Sequence, residues 1–184
     1  MEARPVTKAP ERVVTDRLVL RRPTARDAQG VYAYASDPEV TRLLAFPTHR
    51  SMADTERFLS ECPVRWEKGE EFCWIITLKD ADDCIGAIGC RMGHHGPDVG
   101  YVLAKPYWGR GYMSEAVRAV VEWASALPEG HRVWAFCDVE NAASARVLEK
   151  AGMAREGILR KWSVSPNLSP TPRDCYVYSL VRRD

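Results

Sequence analysis

The run DRLVLRR, Asp16 to Arg22, sets three apolar residues between charged ones, the length and make-up of a short strand. TARDAQGVYAYASD then carries apolar residues at helical spacing as far as Pro38. A second helical region spans about Met52 to Lys68, with Phe58, Leu59 and Trp66 available for packing. Three extended segments follow: EFCWIITL from Glu71, CIGAIGCRM from Cys84 and PDVGYVLA from Pro97. Turn-forming residues at Asp80–Asp83 and His94–Gly96 separate them, which predicts an antiparallel meander. The next helix presents Ala116, Val117, Val120, Val121, Ala124 and Leu127 on one face and stops at Pro128 and Gly130. RVWAFCDV reads as a buried strand, and ENAASARVLEKAG as a short helix with Asn141 near its cap and Gly152 at its end. Two further strands are predicted, about Ala154 to Val164 and Asp174 to Arg182, joined by the proline-rich loop SPNLSPTPR. Residues 1–14 are polar and contain Pro5 and Pro10, so they read as a loose leader before one α/β domain over 15–184.

Composition narrows the function classes. With 26 basic against 25 acidic side chains there is no broad basic field, so neither nucleic acid nor a membrane surface is an expected partner. No apolar run approaches the roughly 20 residues of a membrane span, and the N-terminus lacks a signal-peptide core. The six cysteines include no CxxC pair and sit mostly in apolar runs, as reduced packing residues do, which fits a reducing compartment such as a bacterial-type cytoplasm. The four histidines lack zinc spacing with the cysteines, so no metal is expected.

Two strand-to-helix junctions carry the candidate chemistry. KPYWGRGYMSEAV places Gly109 and Gly111 around Arg110 immediately before a helix. Glycines allow close approach of the backbone, and a helix start leaves N–H groups without partners, so the turn suits an anion; a tight turn alone is the plainer reading. The second junction, VENAASARVLEKAGM, has the form Asn-x-x-Ser before an apolar helix. Here Asn141 and Ser144 read equally as capping residues. Asp98 precedes the VGY segment, where a carboxylate could remove or hold a proton, or simply serve the turn beside Pro97. His94 and His95 are adjacent on an extended segment, point to opposite faces, and read as turn residues. Arg146 and Lys150 read as a solvated helix face, with an approach to a ligand phosphate as the alternative.

Taken together, TDRLVLRRPTARDA, ASDPEVTRLL, DVGYVLAKPYWGRGYMSEAV, VENAASARVLEKAGMAREG and PRDCYVY resemble the GNAT superfamily of acyl-CoA-dependent N-acetyltransferases, and within it the Rim-type branch that includes ribosomal-protein N-terminal acetyltransferases. The resemblance covers nearly the whole chain. It implies a mixed, mostly antiparallel central sheet flanked by helices and splayed at the acyl-CoA site. The family pattern, Gln or Arg, two residues, Gly, one residue, Gly or Ala, falls on Trp108, Gly109, Arg110, Gly111, Tyr112 and Met113. Trp108 replaces the polar leader, and Met113 stands at the small-residue position, where its side chain is expected to turn into the core.

The resemblance further implies that N–H groups from Gly109 to Ser114 cradle the CoA pyrophosphate, and that main-chain groups of Tyr101 and Leu103 run beside the pantetheine arm. It makes the Leu103 N–H the donor to the thioester oxyanion. Asn141 and Ser144 would contact the acyl-CoA arm, with Ser144 the acid for the leaving thiolate, because the tyrosine that many members carry four residues later is Leu148 here. Asp98 would serve the amine. The function implied is acetyl transfer from acetyl-CoA to a primary amine in a ternary complex, with a protein N-terminus among the acceptors and a monomer or homodimer as the assembly. The alternatives are a catalytically silent CoA-binding sensor or partner-binding module, and a phosphate-binding regulatory domain resting on the Gly-Arg-Gly turn alone.

Overall fold

In β3 (Glu71–Leu78), Phe72, Trp74 and Ile76 alternate with Cys73 and Ile75, and all five are buried because the strand has helices on both faces. The computed structural model, which describes residues 8–182, organises the chain around this strand. Before it come β1 (Arg12–Val14), β2 (Leu18–Arg21), α1 (Ala28–Ala35), α2 (Pro38–Thr41) and α3 (Met52–Glu67). After it come β4 (Gly86–Gly93), β5 (Gly96–Leu103), α4 (Tyr112–Ser125), β6 (Arg132–Asp138), α5 (Ala142–Lys150), β7 (Ala154–Ser163) and β8 (Arg173–Val181). The eight strands form one sheet in the order β1-β2-β3-β4-β5-β6-β8-β7.

All neighbours are antiparallel except β5 and β6, which run parallel and are bridged only at Asp98↔Trp134. Beyond that pair the two strands part. The meander over β3, β4 and β5 and the splayed sheet therefore agree with the sequence reading.

Two apolar layers hold the sheet. On one face Ala116, Val117, Val120, Val121 and Ala124 of α4 pack with Leu148 of α5 on Ile88, Val99, Val133 and Ala135. On the other, Val31, Tyr34 and Ala35 of α1 and Leu59 and Cys62 of α3 meet Cys73, Ile75 and Ala87. Trp66 from the end of α3 and Trp123 of α4 close on Phe72 and Trp74 in edge-on contacts with centroids 5.2–5.6 Å apart.

The N-terminal boundary differs from expectation. Of the leader expected over residues 1–14, residues 1–7 lie outside the described residues, whereas Arg12–Val14 form the edge strand β1, paired with β2. The Trp74 indole donates 2.9 Å to the Pro10 carbonyl and ties this segment to the core. Three residues long, and preceded by Pro5 and Pro10, the segment is too short to show the alternation from which a strand is read.

Candidate active site

The Gly-Arg-Gly turn joins β5 to α4 and is built on two left-handed residues, Gly109 at φ +74° and Gly111 at φ +79°. Gly111 is the residue before the first helical turn, and the first helical bond runs from the Glu115 N–H to the Gly111 carbonyl. The amides of Tyr112, Met113 and Ser114 consequently have no acceptor within the helix. Met113 and Ser114 are buried, Met113 in the core under α4, so this turn offers main chain and not their side chains.

A partner that the sequence pattern did not reveal fixes the turn. Arg17, just before β2, donates to the Arg110 carbonyl (3.0 Å) and to Glu115 Oε2 (2.7 Å), and its guanidinium lies 4.7 Å from the centre of the Tyr112 ring. Glu115 Oε1 also accepts from Thr15 Oγ1 (2.6 Å) and the Arg17 N–H (2.8 Å). Partial burial pushes the Glu115 carboxyl up, but these bonds outweigh it and hold it below its ordinary value. The one carboxylate in the first turn of α4 is thus already paired, so it opposes an incoming anion less.

Along β5 the hydrogen bonds alternate. The Ala104 N–H donates to Ile85 (2.8 Å), which makes 104/85 a hydrogen-bonded pair; with Gly86↔Leu103 and Ile88↔Tyr101 in register, the main-chain groups of Leu103 and Tyr101 face away from β4. They face the gap left where β6 departs. Only part of the expected set is free, because the Leu103 carbonyl accepts from the Trp108 indole at 2.7 Å. Trp108 therefore braces β5 through its ring nitrogen, while the Leu103 N–H remains directed at the gap.

The gap opens into a cavity of about 250 Å³ walled by β5, β6, the start of α5 and the segments around Leu43–Phe46 and Ser163–Ser165. Asn141 and Ser144 both line it. Asn141 caps α5, its Oδ1 accepting from the Ser144 N–H at 3.0 Å, so the capping reading holds for that side chain. The Ser144 hydroxyl lies 2.8 Å from the Tyr101 hydroxyl, which also reaches the Ser144 carbonyl at 3.2 Å. Burial keeps the Tyr101 phenol protonated far above its ordinary range. Sequence reasoning assigned Tyr101 only through its main chain; the 43-residue separation left no local signal for the hydroxyl pair. Leu148 is fully buried in the core, so nothing from that position replaces the hydroxyl.

Asp98 lines the same cavity. It pairs with Arg91 at 2.9 Å, with the aspartate side chain 13% and the arginine side chain 53% exposed. Burial raises the Asp98 carboxyl above its ordinary value despite Arg91, and Glu71 adds to the rise. The opposite wall is held by Asn167 of the β7–β8 loop, whose Oδ1 accepts from the Thr48 N–H (2.7 Å) and hydroxyl (3.0 Å) while its Nδ2 donates to the carbonyls of Thr41 (2.8 Å) and Phe46 (2.9 Å). His94 and His95 are exposed at the β4–β5 turn and do not line the cavity. Arg146 and Lys150 are exposed on α5. Among the described residues no group of three His, Cys, Asp or Glu is arranged to hold a metal, and no helix is long and apolar enough to cross a membrane.

Residues 17–154 match a family model described as an acetyltransferase (GNAT) domain. An N-acetyltransferase of Bacillus subtilis, YoaA, is 30% identical over 171 residues, covering 91% of this chain and 95% of its own. A GNAT-family acetyltransferase from Bacillus anthracis superposes with a TM-score of 0.79 at 27% identity, covering 92% of this chain and 98% of its own. RimL, a ribosomal α-N-protein acetyltransferase solved with coenzyme A, shares the fold at 18% identity with a TM-score of 0.79, over 92% of this chain and 96% of its own.

Proposed function

Since this chain belongs to the GNAT family of acetyltransferases, for which acetyl-CoA is the acetyl donor, we propose that it acetylates a primary amine by direct attack within a ternary complex. The observation that carries this reading is the single Asp98↔Trp134 bridge, which leaves the Leu103 N–H facing an open gap between β5 and β6. A thioester carbonyl lying in that gap would meet a fixed donor as its oxygen gains charge. The pyrophosphate would rest on the amides of Gly109 to Ser114 at the start of α4, with Arg17 holding the turn from behind.

In the reaction the amine nitrogen forms a bond to the acetyl carbon, the carbon–sulfur bond breaks, and CoA leaves as a thiolate. Ser144 supplies the proton to sulfur. Its hydroxyl is helped by Tyr101, which remains protonated and can donate to Ser144 Oγ as that oxygen gives up its own proton. Asp98 holds the acceptor ammonium and receives, directly or through water, the proton that the amine must lose. Its largely buried carboxylate, paired with the exposed Arg91, suits either task. Three thiols line the cavity: burial pushes Cys137 and Cys175 up to about 11, a hydrogen bond with Cys62 together with burial raises Cys73 well above its ordinary value, and all three stay protonated near neutral pH. That favours direct attack over an acyl-cysteine intermediate.

The test is release of CoA thiol from acetyl-CoA against a panel of amines that includes peptides with free N-termini. Turnover that requires both components supports the reading. Tight CoA binding without thiol release across the panel would replace it with the silent CoA-binding module.

A further inference from the structure

Beyond Asp98 the cavity continues into a shallow trough that shares Arg91, Asp98, Phe136 and Ser163 with it and adds Trp134 and Trp162, with Glu70, Met92 and Gly93 at its rim. Trp134 and Phe136 lie two apart on β6, so their side chains share a face, with centroids 6.1 Å apart and planes 31° apart. Trp162 stands nearly upright against both, at 6.4 Å and 70° from Trp134 and at 6.2 Å and 80° from Phe136. The three rings make a floor and a wall, a corner in which a planar group can lie flat on two rings and against the third.

The wall is there because β7 departs from regular pairing. Between Leu159↔Cys175 and Ser163↔Arg173 the ladder is irregular, with three residues of β7 facing Asp174 alone. Within this bulge Lys161 is, among the described residues, the one non-glycine with a left-handed backbone, φ +48°, and its N–H is held by Asp174 Oδ1 at 2.9 Å. A bulge re-aims a side chain, and a strained residue persists only where the surroundings fix it. Here the side chain so placed, Trp162, stays 47% exposed, so the strain is not balanced by burying the ring in the core.

Asp98 and Trp134 are bridge partners, which puts their side chains on the same face about 5 Å apart, one strand spacing. That is close to the distance from an amine nitrogen to the centre of an aromatic ring attached two or three bonds away. Resting on the acetyl-transfer reading above, we propose that this corner is the side-group subsite of the acceptor, and that the preferred acceptor is a primary amine with a planar aromatic group two or three bonds from its nitrogen. The ammonium sits at Asp98 and the ring on Trp134 and Phe136 against Trp162. Free arylalkylamines and peptides or aminoacyl compounds with an aromatic first residue both carry this chemistry.

The experiment compares kcat/KM in two arms on the full chain with acetyl-CoA. One sets phenethylamine and tryptamine against butylamine and hexylamine; the other sets peptides beginning with Phe or Trp against the same peptides beginning with Ala. The aromatic member is expected to lead by about tenfold in at least one arm, and the arm that shows it identifies the source. Trp162→Ala should bring that ratio close to one, chiefly through KM, while Trp162→Phe keeps most of it. A ratio near one in both arms for the wild type, or a ratio that survives Trp162→Ala, overturns the subsite. If no amine releases thiol, the acetyl-transfer reading fails by itself; the subsite is then decided by calorimetry of phenethylamine and butylamine with CoA-saturated protein. Tighter phenethylamine binding that Trp162→Ala removes upholds it, and equal or absent binding rejects it.

Discussion

At the scale of single residues, the proposed mechanism gives Ser144 and Asp98 separate tasks, while Met113 belongs to the core. Ser144 has a partner hydroxyl from Tyr101 at 2.8 Å, so its removal takes away the acid and leaves the phenol in place. Ser144→Ala is expected to lower kcat by about ten- to a thousandfold with little change in CoA affinity. Tyr101→Phe should lower it less, because the serine keeps its own proton. Single-turnover rates at saturating substrates check both; equal rates in all three proteins would dismiss the acid role. In its proposed role Asp98 acts only when ionised, and burial raises its carboxyl above the ordinary value. Activity should therefore rise with pH through that raised value and level off above it, so the acidic limb of kcat/KM lies above the usual aspartate range. Asp98→Asn should remove the limb and lower the plateau, whereas an unchanged pH profile would return Asp98 to the hairpin. Met113 is a core residue at a position where the family favours a small one, 5% exposed beneath α4. Met113→Ala should cost roughly 2–5 kcal/mol in chemical unfolding without a comparable loss of CoA affinity.

At the scale of elements, the start of α4 depends on the backbone sign of Gly111. An added Cβ would meet nothing nearer than Arg17 Nη2 at 3.5 Å, so space within the protein does not exclude a side chain. The obstacle is φ +79°, where a β-branched residue is strained by about 1–3 kcal/mol. Gly111→Val should relieve that strain by turning the amides of Tyr112 to Ser114 off line, and CoA affinity should fall by about tenfold or more while the fold persists. Titration calorimetry beside chemical unfolding separates the two; a folded variant that binds CoA like the wild type would end the cradle reading. Much of this element was legible in the sequence, because glycines before an apolar face at helical spacing are local signals. The same holds for the β3–β5 meander and for the cap at Asn141. Contacts made over long separations were not legible: Arg17 reaching the Arg110 carbonyl, Tyr101 reaching Ser144, and the bulge that brings Trp162 onto β6. Strand β1 was missed for another reason, since it is only three residues long and follows directly on a polar, proline-bearing stretch.

At the scale of the whole molecule, the cavity exists because two segments far apart in the chain are joined above the splayed sheet. The loop SPNLSPTPR and the region from Leu44 to His49 have no periodicity from which their junction could be read. That junction is Asn167. Its amide makes four hydrogen bonds, two accepted from Thr48 and two donated to the carbonyls of Thr41 and Phe46, with partners 119 to 126 residues away. Asn167→Ala leaves the Thr48 N–H and two carbonyls without these partners, at a cost of roughly 1–3 kcal/mol unless water replaces them. Asn167→Asp is the more telling change, because a carboxylate keeps the bonds from Thr48 but turns its second oxygen toward two carbonyl oxygens that need a donor. Aspartate should thus be at least as disruptive as alanine despite its matching shape. Both variants should raise KM for the amine several-fold, about the loss expected when a wall of the acceptor site must be ordered on binding, while CoA affinity holds because the turn before α4 lies on other elements. Steady-state kinetics with each substrate varied in turn, paired with thermal unfolding, reads the two effects apart. A loss of CoA affinity equal to that for the amine would mean that the sheet itself had shifted, and wild-type KM in Asn167→Asp would mean that the loops stay closed without this amide.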